Sequence, residues 1–278
     1  MADKVVLTIM VALHCEAKPI IDAYKLKKSH SKPFDHYQGL GGDELKVELV
    51  VSGIGALAMA AAVGWVGAVE PNVKRVWLNV GTAGHATRSL GEVVLIHGAG
   101  DEVLQRCHYP ALIAKWPGET DAVLSVSAPS NDYPSGAAVD MEAYAFFNVA
   151  LRFSDSELVQ SIKVISDNRV SGIEHLNAAK LTEFVSSRKQ EIMNFINALM
   201  MLVRPEFTLN YDLQNLFELR GTHSQRQQVT QLLKKLQVMD ALDVVSGGLT
   251  SCRDLAQVLR LLQSELAGIA PSLKSGEA

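Results

Sequence analysis

Short, strongly apolar runs recur along the first part of the chain, and most of them are separated by stretches long enough for a helix. The runs are rich in Val, Ile and Leu, and several are apolar on both faces, as the central strands of a helix-covered sheet are. Six of these runs predict strands: 4–13, 46–52, 75–80, 92–97, 121–126 and 160–166.

The segments between the predicted strands have helical patterns. The stretch 56–69 (ALAMAAAVGWVGAV) is rich in small residues, which suits close packing on a sheet, and 141–153 predicts a second helix. The segment 176–203 is the longest and carries apolar residues on one stripe at helical spacing. Strands that alternate with helices indicate an α/β fold.

The pattern changes at a proline-marked boundary near 204 (RPEF). Beyond it, 223–238 and 250–266 predict two amphipathic helices. The glycine pair in VVSGGLTS predicts the break between them, and Thr250 or Ser251 the cap of the second helix. This part has as many acidic as basic residues, so a DNA-binding helix-turn-helix is disfavoured, and we expect a helical extension for packing or oligomerisation.

Composition and charge narrow the classes of function. Apolar residues make up 48% of the 278 residues and charged residues 20%, which is typical of a globular protein with ample core material. A net charge of -4 predicts that the protein binds neither nucleic acid nor a membrane surface. The sequence contains no run of about 20 apolar residues, so we expect no membrane span. The apolar run 4–13 is short and lacks a small-residue cleavage site, so it predicts a buried strand rather than a signal peptide.

The cysteines and two histidines give no metal or nucleophile pattern. Cys15, Cys107 and Cys252 are scattered, without a CxxC or metal-ligand spacing, and free thiols suit a reducing cytoplasm. His14 and His85 follow predicted strands but have no partner pattern, so we interpret them as ordinary loop histidines. Because the thiols are expected to be free and no signal peptide or membrane span is predicted, we expect a cytoplasmic protein.

Polar residues gather where the predicted strands end. Glu16 and Thr82 follow two of them, Ser166 and Asp167 end another, and Glu142 precedes a helix. In open α/β sheets these ends meet at one edge, where ligands bind. Alone, each residue has an ordinary interpretation as a cap, a turn or a solvated residue. Together, the clustered carboxylates suit a cationic, oxocarbenium-like transition state, as in cleavage of a bond between a sugar and a base.

Several ordered motifs match one known family. The stretch 37–98 contains an SGIG loop, an Ala-rich helix, an N-x-G-[ST]-A-G strand end and a GEVV strand, and AVDMEAYA and VISD follow later. Over about residues 4–203 the chain resembles the purine nucleoside phosphorylase superfamily, and within it the bacterial 5'-methylthioadenosine/S-adenosylhomocysteine nucleosidases. The resemblance implies a three-layer fold with a central mixed β-sheet flanked by helices. It makes 1–203 the catalytic domain, while 204–278 lies outside the family pattern.

The resemblance implies roles for the matching residues. Glu16 falls where the nucleosidases have the acid that activates water. Asp167 falls on the acid that protonates the purine at N7, with Ser166 orienting it. Met141 falls where a side chain packs against the ribose, and Glu142 where a carboxylate binds the ribose hydroxyls.

Further residues follow from the same comparison. Thr82, with Ala83 and Gly84 of the same strand end, falls beside the anion or water site, and Asp140 falls on a structural acid. The segment before the VDMEA motif, which supplies part of the base pocket in the nucleosidases, is shorter here. The resemblance therefore does not decide which base the protein binds. Tyr133 is the aromatic residue near the place that faces the purine, and a turn tyrosine is an equally good interpretation.

The co-substrate is water or phosphate. The resembling phosphorylases bind phosphate with arginines at two places, which here hold the loop LHCEAKP and Asn79. Glu16 of that loop would repel phosphate and suits water. Lys163 is left as one positive charge that could contact phosphate. We therefore expect hydrolysis of the N-glycosidic bond of a purine nucleoside or a 5'-modified (thio)adenosine, with phosphorolysis and non-catalytic nucleoside binding as alternatives. The resemblance implies no metal or organic cofactor, and a homodimer or larger homo-oligomer.

Overall fold

Strands and helices alternate along the first of the two units into which the chain divides, Met1–Val203 and Arg204–Ala278. The computed structural model describes residues 5–41, 45–71, 73–203, 216, 218–238 and 241–269. None of the described helices is long and apolar enough to cross a membrane.

The elements of the first unit follow the predicted order closely. Its strands are β1 (Val5–Val11), β2 (Lys27–His30), β3 (Asp35–Leu40), β4 (Lys46–Val51), β5 (Lys74–His85), β6 (Val93–Asp101), β7 (Cys107–His108), β8 (Glu119–Ser125), β9 (Ala138–Asp140) and β10 (Val159–Asn168). Its helices are α1 (His14–Tyr24), α2 (Ala56–Val69), α3 (Ala143–Ala150), α4 (Ala178–Ser187) and α5 (Lys189–Met201).

The strands form one mixed sheet. Strand β1 lies between β4 and β5 and runs parallel to both, while β3 and β2 continue the sheet antiparallel beyond β4. Strand β5 pairs with both β10 and β9, and β6 and β8 connect those two, so five strands close into a ring. The carboxyl ends of the parallel strands β1, β5 and β10 therefore lie side by side.

Helices cover both faces of the sheet. In β1, Leu7, Ile9 and Val11 belong to one apolar cluster, which includes side chains of α1, α4 and α5. Met10 points the other way, into a cluster that includes side chains of α2 and α3. Burial on both faces explains why the sequence of β1 is continuously apolar. The expected α/β fold, a mixed sheet between helical layers, is confirmed.

Some elements of the first unit differ from the prediction. All six predicted strands are present, but four further strands were not predicted: the polar, exposed β2, the mostly polar β3, and the short β7 and β9. The predicted helix 176–203 is two helices, because Arg188 leaves the helical conformation (φ -106°, ψ 7°) between α4 and α5.

The second unit contains α6 (His223–Val238), α7 (Leu242–Leu249) and α8 (Leu255–Ile269). Helix α6 has the predicted bounds. Buried Leu and Val side chains from all three helices form an apolar cluster of their own.

The predicted break in the second unit is wrong. Gly247 and Gly248 lie inside α7 rather than between two helices. A Cβ on Gly248 would lie 3.0 Å from a methyl group of Leu261, so the glycine lets α7 and α8 pack closely. The last helix begins after Asp254, whose Oδ1 accepts the Gln257 N–H at 2.8 Å, so neither predicted cap residue starts it.

Candidate active site

A pocket of about 190 Å³ opens at the carboxyl ends of β1, β5 and β10. Nine of the ten site residues proposed from the sequence line it: Glu16, Thr82, Ala83, Gly84, Tyr133, Met141, Glu142, Ser166 and Asp167. The tenth, Lys163, is not among the lining residues. The ends of the strands thus bring together residues that are far apart in the sequence.

Glu16 lies in the first turn of α1, directly after β1. It is 3% exposed, so it is not the solvated residue that its position alone would indicate. Its Oε1 accepts hydrogen bonds from both the N–H and the hydroxyl of Thr82, each at 2.8 Å, and its Oε2 accepts the Leu13 N–H at 3.1 Å. Three donors fix this carboxylate, which leaves it positioned to accept a hydrogen bond from a water in the pocket.

Glu142 lies immediately before α3 and reaches across to the SGIG loop. Its Oε1 accepts the Gly55 N–H at 2.6 Å. Gly55 has φ +97°, a conformation that favours glycine, so the loop glycine serves the turn that presents its N–H to the carboxylate. Glu142 is therefore held at the pocket wall with its second oxygen left for a ligand.

The charge state of Glu142 is sensitive to pH. Burial, together with the nearby charge of Asp140, raises the pKa of Glu142 to about 7, although the positive charge of Lys163 acts in the opposite direction. Near neutral pH this carboxyl group therefore exchanges readily between its protonated and ionised forms.

Asp140 supports the turn into α3. Its Oδ2 accepts the Ala143 N–H at 2.9 Å, and its Oδ1 accepts the Ser125 hydroxyl at 2.6 Å. The Ser125 hydroxyl oxygen in turn accepts the Tyr144 N–H at 2.9 Å. Asp140 lines the pocket, but these hydrogen bonds give it a structural role, because they stabilise the turn that positions Glu142.

Lys163 lies on β10 behind the pocket wall. Its Nζ is 2.7 Å from Asp140 Oδ2, and the residue is 1% exposed. Burial lowers the pKa of Lys163, but the charges of Asp140, Glu142 and Glu16 outweigh burial and raise it above the usual value. Lys163 is not among the pocket-lining residues, but it is paired with Asp140, which is; its contact with phosphate stays a prediction.

Asp167 and Ser166 both line the pocket although they are neighbours in a strand. The pairing of β10 with β5 shifts register between Ile165 and Asp167, so a β-bulge turns both side chains to one side. Ser166 donates its hydroxyl to Asp167 Oδ1 at 2.5 Å. The bulge thus places an acid and its orienting hydroxyl together.

Tyr133 is part of the pocket wall rather than an exposed turn residue. It is 2% exposed, and its hydroxyl donates to Asp167 Oδ2 at 2.7 Å. Burial and the charge of Asp167 raise the pKa of Tyr133 above its usual range. A Cβ on Gly84 would lie 2.5 Å from Cε1 of the Tyr133 ring, so glycine is required at this strand end for the ring to approach.

The pocket is acidic and partly apolar. Four carboxylates line it, those of Glu16, Asp140, Glu142 and Asp167, and no Lys or Arg is found among its described lining residues. Sequence motifs gave no signal for the apolar wall, which comes from several separate elements: Leu13, Ile54, Val126, Pro129, Val139, Ile173, Leu176 and Leu181. Such a pocket favours a ligand with an apolar ring and developing positive charge.

The two strand-end histidines lie outside the pocket lining. His14 is an exposed residue whose Nε2 lies 2.9 Å from Asp35 Oδ2. His85 is buried, and its Nδ1 accepts the N–H groups of Thr87 and Arg88, each at 3.0 Å. Within the described ranges no group of three or more His, Cys, Asp and Glu is arranged to hold a metal ion.

Glu142→Gln is expected to change the pH dependence of stability. Because the pKa of Glu142 is raised to about 7 from 4.5, its protonated form stabilises the fold. The contribution of Glu142 to the free energy of unfolding is complete below about pH 4.5. Between about pH 4.5 and pH 7 it decreases by about 1.4 kcal/mol per pH unit. Urea unfolding of both proteins between about pH 5 and pH 7 measures the difference.

The expected result is that the wild type loses stability relative to Glu142→Gln as the pH rises over this range. Glu102→Gln, at an exposed position, is the matched control and should leave the pH profile unchanged. A constant difference between wild type and Glu142→Gln would show that the carboxyl group has an ordinary pKa.

No protein-family model matches the chain, and no curated protein sequence does. Solved structures do match the fold. The 5'-methylthioadenosine/S-adenosylhomocysteine nucleosidase of Colwellia psychrerythraea 34H, in complex with adenine, is 17% identical with a TM-score of 0.58, over 71% of this chain and 96% of that chain.

Two Helicobacter pylori enzymes match similarly. Its 5'-methylthioadenosine/S-adenosylhomocysteine nucleosidase, with butyl-thio-DADMe-Immucillin-A, is 11% identical with a TM-score of 0.59, over 71% of this chain and 99% of that one. Its futalosine hydrolase is 12% identical with a TM-score of 0.57, over 71% and 98%. The chain thus has the fold that these nucleosidases and this hydrolase share.

Proposed function

We propose that the protein hydrolyses the N-glycosidic bond of a purine nucleoside or a 5'-modified (thio)adenosine and releases the free base. The observation that carries this proposal is the acidic pocket at the strand ends of a nucleosidase fold, with four carboxylates and no Lys or Arg among its described lining residues. The matching Colwellia nucleosidase holds adenine, which supports a purine ligand.

In this mechanism Asp167 is the general acid. Ser166 orients it through the 2.5 Å hydrogen bond to Oδ1. In its protonated form Asp167 donates a proton to N7 of the purine, which makes the base a neutral leaving group. General acid catalysis of this kind contributes about 10²–10⁴-fold to a rate.

Glu142 and Met141 hold the sugar. The free oxygen of Glu142 accepts hydrogen bonds from the ribose hydroxyls, while Met141 provides an apolar surface beneath the ring. As the bond to the base breaks, the ribosyl ring gains positive charge. The surrounding carboxylates stabilise that charge.

Glu16 activates the nucleophile. Thr82 and the Leu13 N–H fix its carboxylate, so a water hydrogen-bonded to it is oriented towards the anomeric carbon. The water attacks as the base leaves, and Glu16 accepts its proton. The proton lost by Asp167 and the proton gained by Glu16 balance, and exchange with solvent restores both groups.

Charge distinguishes water from phosphate as the co-substrate. A phosphate dianion would enter a pocket lined by carboxylates, where like charges repel it. The nearby cation Lys163 is already paired with Asp140 at 2.7 Å and does not line the pocket. Both features favour hydrolysis over phosphorolysis.

We also propose that the protein acts in the cytoplasm as a homodimer or larger homo-oligomer. The three free cysteines, Cys15, Cys107 and Cys252, support a reducing compartment, and the oligomer follows from the family resemblance. The helical unit 204–278 is proposed to serve packing or oligomerisation. Light scattering of the purified protein tests the oligomeric state, and a monomer would contradict it.

The test of the proposed activity is a panel of purine nucleosides and their 5'-methylthio derivatives, assayed with and without phosphate for free base. Phosphate-independent release is the expected result. Strict dependence on phosphate would identify a phosphorylase. Binding of a nucleoside without release of any base would identify a non-catalytic binding protein.

A further inference from the structure

Both oxygens of the general acid Asp167 accept a hydrogen bond from a hydroxyl group. Ser166 donates to Oδ1 at 2.5 Å, and Tyr133 donates to Oδ2 at 2.7 Å. Ser166 has the orienting role already described, whereas the proposed mechanism assigns no task to Tyr133. The Tyr133 hydroxyl is thus a buried polar group, bonded to the proton-donating residue, that the mechanism does not yet use.

The Tyr133 ring is fixed beside Asp167. A Cβ on Gly84 would lie 2.4 Å from Asp167 Oδ2 and 2.5 Å from Cε1 of the ring, so the phenol and the carboxyl group lie against the same glycine. Neither group can move far from the other without disturbing this packing. The ring also belongs to a small apolar cluster with three other side chains: Ala86, Val126 and Val139.

The phenol of Tyr133 keeps its own proton. Burial, followed by the hydrogen bond to Asp167, raises the pKa of Tyr133 above its usual range. Tyr133 therefore does not replace Asp167 as the acid, and its hydroxyl acts on the carboxylate as a hydrogen-bond donor.

The proton transfer changes the charge of the group that Tyr133 contacts. When Asp167 protonates N7, its O–H bond breaks, the proton forms the new N–H bond of the base, and the electron pair stays on the carboxylate. Hydrogen bonds to an ionised group are roughly twice as strong as those between neutral groups. The bond from Tyr133 therefore strengthens as the proton leaves, so it stabilises the transition state more than the ground state.

Asn131 provides an acceptor for the phenol proton before the transfer. Its Oδ1 lies 3.1 Å from the Tyr133 hydroxyl oxygen and also accepts the Ile173 N–H at 3.1 Å. While Asp167 is neutral, the hydroxyl can donate to this amide, and the carboxyl proton stays available to the base. The bond to Asp167 forms as the carboxylate ionises. The two acceptors of the phenol proton thus match the two protonation states of Asp167.

We infer that Tyr133 is a positioning residue for the proton transfer: through its bond to Asp167 Oδ2, its hydroxyl stabilises the carboxylate that forms as the base is protonated. The inference rests on the proposed N-glycosidic hydrolysis and adds a group to its acid step. It concerns the departure of the base, so it applies to any purine that is protonated at N7.

The test compares two substrates in the wild type and in Tyr133→Phe. One is the nucleoside of the panel that is cleaved fastest, whose base leaves protonated. The other is 4-nitrophenyl β-D-riboside, whose leaving group departs as a stable anion and needs no proton from Asp167. Phe keeps the ring but removes the hydroxyl, so kcat for the nucleoside should fall by about ten-fold with KM within about two-fold of the wild type. The kcat for the riboside should stay within about two-fold of the wild type.

Two further variants separate the hydroxyl from general effects. Tyr144→Phe removes the hydroxyl of a buried tyrosine outside the pocket lining and should leave both rates unchanged. In the Asp167→Asn background, Tyr133→Phe should add less than about a two-fold loss, because Tyr133 acts through Asp167. This double variant gives the decision by itself where the riboside is not a substrate.

Three results would overturn the inference. The first is an equal loss on both substrates or an unchanged nucleoside rate in folded Tyr133→Phe. The second is a further loss of about ten-fold in the Asp167→Asn background, since Tyr133 would then act independently of the acid. The third is a Tyr133→Phe protein that does not fold, which would assign the hydroxyl to stability. Failure of the wild type to cleave any nucleoside would instead overturn the proposed hydrolysis.

Discussion

Asp167→Asn is expected to lower the rate of base release by about a thousand-fold or more, while the fold stays intact. Asn has nearly the same shape as Asp, and its Oδ1 can still accept from one of the two hydroxyl groups, Ser166 or Tyr133, while its Nδ2 donates to the oxygen of the other, so the pocket keeps its geometry. It cannot transfer a proton to N7 as a carboxylic acid does. The base must then leave unprotonated, which raises the barrier.

The measurement is the initial rate of base release from the best nucleoside of the panel, alongside circular dichroism and thermal unfolding. Asp22→Asn, which changes an exposed carboxylate on α1, is the matched control and should retain full activity. A folded Asp167→Asn protein with near-normal rates would remove Asp167 from the role of general acid.

Lys163→Met is expected to destabilise the first unit by about 3–5 kcal/mol. The Lys163 ammonium group is the positive partner of Asp140 at 2.7 Å, and both residues are buried. Without it, Asp140 is left as a buried negative charge close to Glu142 and Glu16. Removal of one member of a buried ion pair costs more than the pair itself contributes, because the remaining charge has lost its compensation.

Urea unfolding of the full chain measures this loss. Lys18→Met, on the exposed side of α1, is the matched control and should change stability by less than about 0.5 kcal/mol. The double variant Lys163→Met/Asp140→Asn should recover much of the loss, since no unpaired charge remains. A loss below about 1 kcal/mol in the single variant would show that the pair is not the main support of the carboxylate cluster.

The same ion pair explains the two acids of the VDMEA motif. Asp140 and Glu142 stand one residue apart in an apolar run, yet their environments differ. Asp140 has a cation, a hydroxyl and the Ala143 N–H as partners, so it stabilises the turn into α3. Glu142 has the Gly55 N–H and an oxygen that faces the pocket, so it is available to a ligand.

The sequence predicted those parts of the molecule that depend on local pattern. The central strand β1 is apolar on both faces, and its composition alone predicts it. The convergence of Glu16, Glu142 and Asp167 followed from the rule that the carboxyl ends of strands share one edge of a sheet. Their individual roles came from the family resemblance and are part of the proposed function.

Other features depend on contacts that no local pattern carries. Lys163 is a charged residue in the middle of a buried strand, and only the position of Asp140 on β9 shows that it forms a buried ion pair. Tyr133 lies in an irregular segment between β8 and β9, so its bond to Asp167 could not be read from periodicity. Gly248 resembles a helix breaker until the neighbouring Leu261 explains its place inside α7.

The identity of the sugar product tests the central claim most directly, namely that the acidic pocket cleaves an N-glycosidic bond with water. The protein is incubated with an intact nucleoside that it cleaves and with excess inorganic phosphate. The products are followed by phosphorus NMR and by chromatography of the sugar. We predict that free pentose forms in step with free base and that no pentose 1-phosphate appears. Formation of pentose 1-phosphate would contradict the account.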